Sequence, residues 1–140
     1  RMMRDYVDEH AGRVVRMDDF RRAADRAAGE PLGWFFDQWV DQPGMPRYRI
    51  NRAYQTTNSG PPFQTEVEIE QVGRLFRMPM DMELVTADGE PVRQRVTIEE
   101  ALTTVTLTSD REPVKVVLDP DYRILKHPRQ EETEKAVTRD

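Results

Sequence analysis

Two hydrophobic rhythms divide this chain. Up to about residue 46 the apolar residues recur at helical spacing, and beyond it they alternate. Met3, Tyr6, Val7 and His10 predict one short helix, closed near Gly12. Phe20, Ala23, Ala24, Ala27 and Ala28 fall at i, i+3, i+4, i+7 and i+8 and predict a second. Asp18 or Asp19 can cap its start by accepting bonds from unpaired backbone N–H groups. Gly29 suits its end, because glycine enters the left-handed conformation cheaply. Pro31 fits the first turn of a third helix. There Leu32, Phe35, Phe36, Trp39 and Val40 form the apolar stripe, and Trp34, Asp37, Gln38 and Asp41 lie off it.

From Arg47 the period is two. Tyr48 and Ile50 begin the series. Phe63, Thr65, Val67 and Ile69 continue it, followed by Met78, Met80, Met82 and Leu84. Then come Val92, Gln94, Val96 and Ile98, next Thr103, Val105 and Leu107, and last Val114, Val116 and Leu118. Such alternation predicts antiparallel strands with one dry and one wet face. Asn58 to Pro62 reads as a loop, Asp88-Gly89 as a hairpin turn, and Asp110 to Pro113 as another turn. About seven short strands with turns every ten or so residues predict a β-sandwich. From His127 to Asp140 apolar residues nearly vanish, which predicts a polar tail or linker.

Composition narrows the function classes. At 140 residues, one average domain is the expectation. A net charge of -5 disfavours a nucleic-acid binder, which carries a basic footprint. No apolar run is long enough to span a membrane. The absence of cysteine excludes disulfides and thiolate metal sites.

Candidate chemistry is sparse. His10 follows Glu9, but residue 14 is valine, so the two-histidine helix of a zinc protease is not formed here. His10 reads as a partly buried helix-face residue and His127 as a solvated one. Glu66, Glu68 and Glu70 alternate on one strand and read as a solvated sheet face rather than paired catalytic acids. Asp119 and Asp121 in "LDPDY" do not continue into a calcium loop, and Pro120 makes the segment a turn. Met78, Met80 and Met82 read as core filling. Arg47, Arg49 and Arg52 beside Tyr48 and Tyr54 read as solvated strand residues.

The segment "MDDFRRAADRAAGEPLGWFFDQWVDQPGMPRYRI" resembles the end of the catalytic domain in zinc aminopeptidases of the aminopeptidase N type. The elements that match are Asp19-Phe20, Gly29, Leu32, Phe35, Phe36, Trp39, Gly44 and Pro46. Gln71, Phe76 and Pro79 resemble that family's "Q-x-x-x-x-F-x-x-P" segment. Val117, Leu118, Asp119, Pro120 and Leu125 resemble its "V-x-L-D-P-x-x-x-x-L". The likeness spans roughly residues 1 to 126. It implies that the H-E-x-x-H helix, the further glutamate ligand and the transition-state tyrosine lie upstream of Arg1. It also implies that a helical domain can follow the sandwich.

The expectation is therefore α+β by segments. Residues 1–46 are helices from the end of a peptidase catalytic domain, 47–126 an antiparallel β-sandwich of about seven strands, and 127–140 the polar tail. No catalytic, cofactor-binding or metal-ligating residue is assigned in this chain, and zinc is implied only for the parent enzyme. The expected role is structural, buttressing a peptidase that removes N-terminal residues from peptides. The expected partners are the rest of the catalytic domain and the parent's peptide substrates. An uncovered stripe makes a homodimer through Phe35, Phe36 and Trp39 a further expectation. The alternatives are a stand-alone sandwich module that binds a protein or carbohydrate, and a scaffold homologue that lost its zinc site.

Overall fold

A computed structural model of the chain describes residues 1–57, 60–127 and 133–138. The chain divides into two compact units, Arg1–Pro43 and Gly44–Asp140. The first holds three short helices: α1 (Met2–His10), α2 (Met17–Ala28) and α3 (Gly33–Trp39). Their common core is a line of aromatic edges. Tyr6 meets Phe20 edge-on with centroids 5.2 Å apart, and Phe20 meets Phe36 at 6.1 Å. Such perpendicular pairs set the positive ring edge against the negative face.

Helix α2 starts one residue before the expected aspartates. Asp19 therefore sits at the third helical position, where its Oδ2 accepts the Arg16 N–H at 2.8 Å. Gly29 ends the helix at φ 77°, and its N–H donates to the Asp25 carbonyl. The Asp25 side chain then closes the corner, with Oδ1 accepting the Leu32 N–H at 2.7 Å. That bond puts Pro31 outside α3 rather than in its first turn. Within α2, Ala23 and Ala24 are buried but Ala27 and Ala28 are exposed. In α3, Phe36 is buried, Phe35 is 41% exposed and Val40 is 49% exposed. Gln38, expected off the stripe, is buried.

The second unit is an antiparallel sandwich. Its strands are β1 (Tyr48–Gln55), β2 (Phe63–Gln71), β3 (Met78–Thr86), β4 (Val92–Ile98), β5 (Leu102–Ser109), β6 (Pro113–Leu118), β7 (Thr133–Lys135) and β8 (Val137–Thr138). One sheet runs β5-β2-β1-β8 and the other β4-β3-β6-β7. Val67, Ile69, Met80, Met82, Leu84, Ile98, Leu107, Val116 and Leu118 are fully buried and form the core. The three methionines expected as core filling are all buried.

Where the ladders are regular, alternation and burial agree, as along β2 and β3. Where they are not, the parity changes. A register shift between Ile50 and Arg52 moves the buried set of β1 from Tyr48 and Ile50 to Ala53 and Gln55. A second shift pairs Val85 with Lys115 but Thr86 with Pro113, so Val114 is left outside the ladder and is 44% exposed. An extra residue in one strand turns the side chains that follow it to the other face. Gln94 is also exposed, because most of β4 at its sheet edge is uncovered.

The stretch 127–140, expected as a tail, contains regular structure. Thr133–Lys135 pairs antiparallel with β6, and Val137–Thr138 pairs parallel with β1. Backbone pairing needs no apolar side chains, so polar composition concealed it. The remainder of that stretch, 128–132 and 139–140, and Asn58 and Ser59 of the expected β1–β2 loop, lie outside the described residues.

Candidate functional site

The most highly organised polar groups in the sandwich are at two of its turns. Gln71 ends β2 on the inward parity of Thr65, Val67 and Ile69, and it is 4% exposed. Its Nε2 donates to the Phe76 carbonyl at 2.9 Å and the Glu100 carbonyl at 3.2 Å. Its Oε1 accepts the Phe76 N–H at 3.0 Å. One amide thus satisfies the backbone of the β2–β3 turn, which folds back through Gly73 at φ 88°. The Phe76 ring is 1% exposed, and the Arg74 guanidinium lies over it at 4.7 Å.

The second turn follows β6. Asp119 is 1% exposed and adopts φ 45°, a conformation aspartate tolerates better than most residues. Its Oδ1 accepts the Arg123 N–H at 2.8 Å, and Oδ2 accepts the Ile124 N–H at 3.3 Å. The Lys126 ammonium lies 3.3 Å from Oδ2, with side chains only 5% and 2% exposed. The carboxylate therefore clasps the whole Asp119–Lys126 turn. Asp121, two residues on, points elsewhere and accepts from Arg93 and Arg123. The two aspartates of "LDPDY" do not converge on a common point.

Above this turn the outer face of the second sheet carries a chain of ion pairs. Arg95 grips Asp81 through Nε and Nη2 at 2.6 and 2.8 Å. Arg93 bridges Glu83 and Asp121, each at 2.9 Å, and Arg123 reaches Asp121 at 3.3 Å and Asp81 at 3.9 Å. The Arg95 hydrogen bond holds the Asp81 carboxyl below its usual range. A cavity of about 230 Å³ lies between Met78, Pro79, Asp81, Arg95, Asp119 and Arg123. Asp81 is committed to Arg95 and Arg123, and Asp119 to Lys126 and the turn backbone, so the cavity offers balanced charge rather than a reactive group.

The outer face of the first sheet repeats the pattern. Glu70 pairs with Arg49 at 2.7 Å, Glu68 with Arg52, and Glu66 accepts the Tyr54 hydroxyl. These partners lie opposite one another across β1 and β2. The Arg52 and Arg49 hydrogen bonds push the Glu68 and Glu70 carboxyls down, which favours the ionised form. A general acid at neutral pH needs the opposite shift. Tyr48 is buried, so Arg47, Arg49 and Arg52 do not share a surface with both tyrosines.

In the helical unit, His10 Nδ1 lies 3.0 Å from the Tyr6 carbonyl, and its ring lies 4.7 Å from the Tyr6 ring. His127 is exposed. Among the described residues no group of three or more His, Asp or Glu side chains could hold a metal ion. Of the expected homodimer face, Phe36 is buried against Phe20 and under the Arg21 guanidinium, which lies 5.1 Å from its ring. Phe35 is the exposed member, and Trp39 is half-buried.

Sequence reasoning did not single out Lys126 or the buried Gln38 and Gln55. Nothing local marks Lys126, which follows Ile124 and Leu125 in an irregular segment with no period. Gln55 carries a signal only after the β1 irregularity is counted. No family model matches the chain, and no curated protein matches it. No helix among the described residues is long and apolar enough to cross a membrane.

Proposed function

We infer that this chain is the non-catalytic C-terminal portion of a zinc-dependent aminopeptidase of the aminopeptidase N type, and that its role is to buttress the catalytic domain. One observation carries the reading. Several of the residues that bear the resemblance stand at junctions of the fold, where they hold backbone. Gln71 and Phe76 lock the β2–β3 turn. Asp119 locks the turn after β6. Gly29 caps α2, and Gly44 and Pro46 stand just before β1. Residues with such duties define the shape of a supporting domain.

The described carboxylates support the same role. Asp81, Glu68 and Glu70 are held in their charged form by arginine, so each serves as a fixed anion. In the parent, zinc would polarise the scissile carbonyl and activate water. No residue of this chain is given a part in that step.

The purified chain should release no amine from aminoacyl-amide substrates in the presence of zinc, and titration calorimetry should detect no stoichiometric zinc binding. Turnover, or tight one-to-one binding, would contradict the structural role.

A further inference from the structure

The two sheets have four edges, and three carry features that discourage pairing with another chain. Strand β4 places Arg93 and Arg95 on its edge, and among the described residues β7 and β8 cover three and two positions. Charge and brevity are the usual protections of exposed strands. The fourth edge, β5, has neither. It runs for eight residues, Leu-Thr-Thr-Val-Thr-Leu-Thr-Ser, with no charge, no proline and no glycine. It pairs with β2 from Leu102 to Ser109 without a break in register. Among the described residues no other strand or backbone group pairs with its far side.

The pattern of β5 is complementary to itself. Val105, Leu107 and Ser109 are buried, and Thr104, Thr106 and Thr108 are exposed. If two copies meet antiparallel about a residue of β5, the pairing keeps parity. Threonine then faces threonine on the wet side, and Val105 lies opposite Leu107 on the dry side when Thr106 is the centre. Threonine pairs and β-branched pairs are favourable cross-strand neighbours. No like charges are opposed along the strand. The nearest charges on that face, Glu66, Glu68 and Glu70 of β2, are already matched by Tyr54, Arg52 and Arg49. A two-fold axis closes such a contact, so the assembly stops at two copies.

We propose that the β5 edge is a self-association surface, on which a second copy of this chain adds its own β5 antiparallel to form a continuous eight-stranded sheet. This does not depend on the aminopeptidase reading and uses a different surface from the Phe35 and Trp39 face. Sedimentation equilibrium of the 140-residue chain should give a monomer–dimer equilibrium. The variant T104K/T106K puts lysines on the exposed side, near Glu68 and Glu66 of its own sheet but near the lysines of the other copy. It should raise the dimer dissociation constant at least tenfold with an unchanged circular dichroism spectrum. Phe35→Glu should leave the constant within twofold. Should the lysine variant fail to fold, amide exchange on the unmodified chain decides instead. Protection at residues 102–109 should rise with protein concentration. A monomer at millimolar concentration, concentration-independent exchange along β5, or a dimer abolished by Phe35→Glu and not by the lysines overturns the proposal.

Discussion

Single polar residues hold the turns of this sandwich. Gln71 is the simplest case, since one buried amide satisfies two backbone groups of Phe76. Gln71→Met keeps the length of the side chain but leaves both groups unpaired. An unsatisfied buried group costs about 1–3 kcal/mol, so the variant should lose about 2–3 kcal/mol. Urea unfolding should show a lower midpoint with an unchanged slope. Asp119 adds a charge to the same logic. Asp119→Asn suits the left-handed backbone as well as aspartate does, but it removes the buried carboxylate charge 3.3 Å from the Lys126 ammonium. Breaking a buried pair on one side costs about 3–5 kcal/mol, whereas replacing both partners costs far less. D119N should therefore be strongly destabilising, and D119N/K126M should recover most of the loss. Additive effects in that double-mutant cycle would show the pair to be uncoupled.

At the scale of elements, both sheets tie neighbouring strands through outward carboxylate–arginine pairs. Exposed pairs of this kind contribute little singly. Their common direction of shift nevertheless gives a pH signature. Arginine hydrogen bonds hold the folded Asp81, Glu68 and Glu70 carboxyls below their ordinary range. A depressed folded pKa contributes stability that is fully present above the unfolded value and is lost as pH falls through the folded value. The melting temperature should be flat from neutral pH down to the upper carboxylate range and should decline below about pH 4. A decline already under way at pH 6 would contradict this account. The elements themselves were legible wherever hydrophobic parity ran without interruption. Val67 and Ile69 on β2, and Met80 and Met82 on β3, were placed inward correctly. Val114 was not, because one residue left out of the β6 ladder reverses parity and leaves no mark in composition. Strands β7 and β8 were missed because they pair by backbone. The α3 stripe was only partly right. Seven residues make barely two turns, and Phe36 and Gln38 are buried there instead of the whole stripe. Of the polar groups, Gln71 could be found by its parity. The Asp119–Lys126 clasp spans seven positions through an irregular turn, with no period to reveal it.

Across the whole molecule, the two units differ in how much they bury. The sandwich has a continuous core, whereas the helical unit buries Ala23, Ala24 and Phe36 and exposes Met3, Val7, Val14, Met17, Phe35 and Val40. Apolar surface left open on a soluble protein commonly marks an interface. On the proposed reading, the rest of a peptidase catalytic domain covers that surface. The most direct test is the reading frame that encodes the residues upstream of Arg1. The account predicts an H-E-x-x-H helix followed by a further glutamate ligand in that frame. An upstream sequence without that motif, or a reading frame that opens at Arg1, would contradict it.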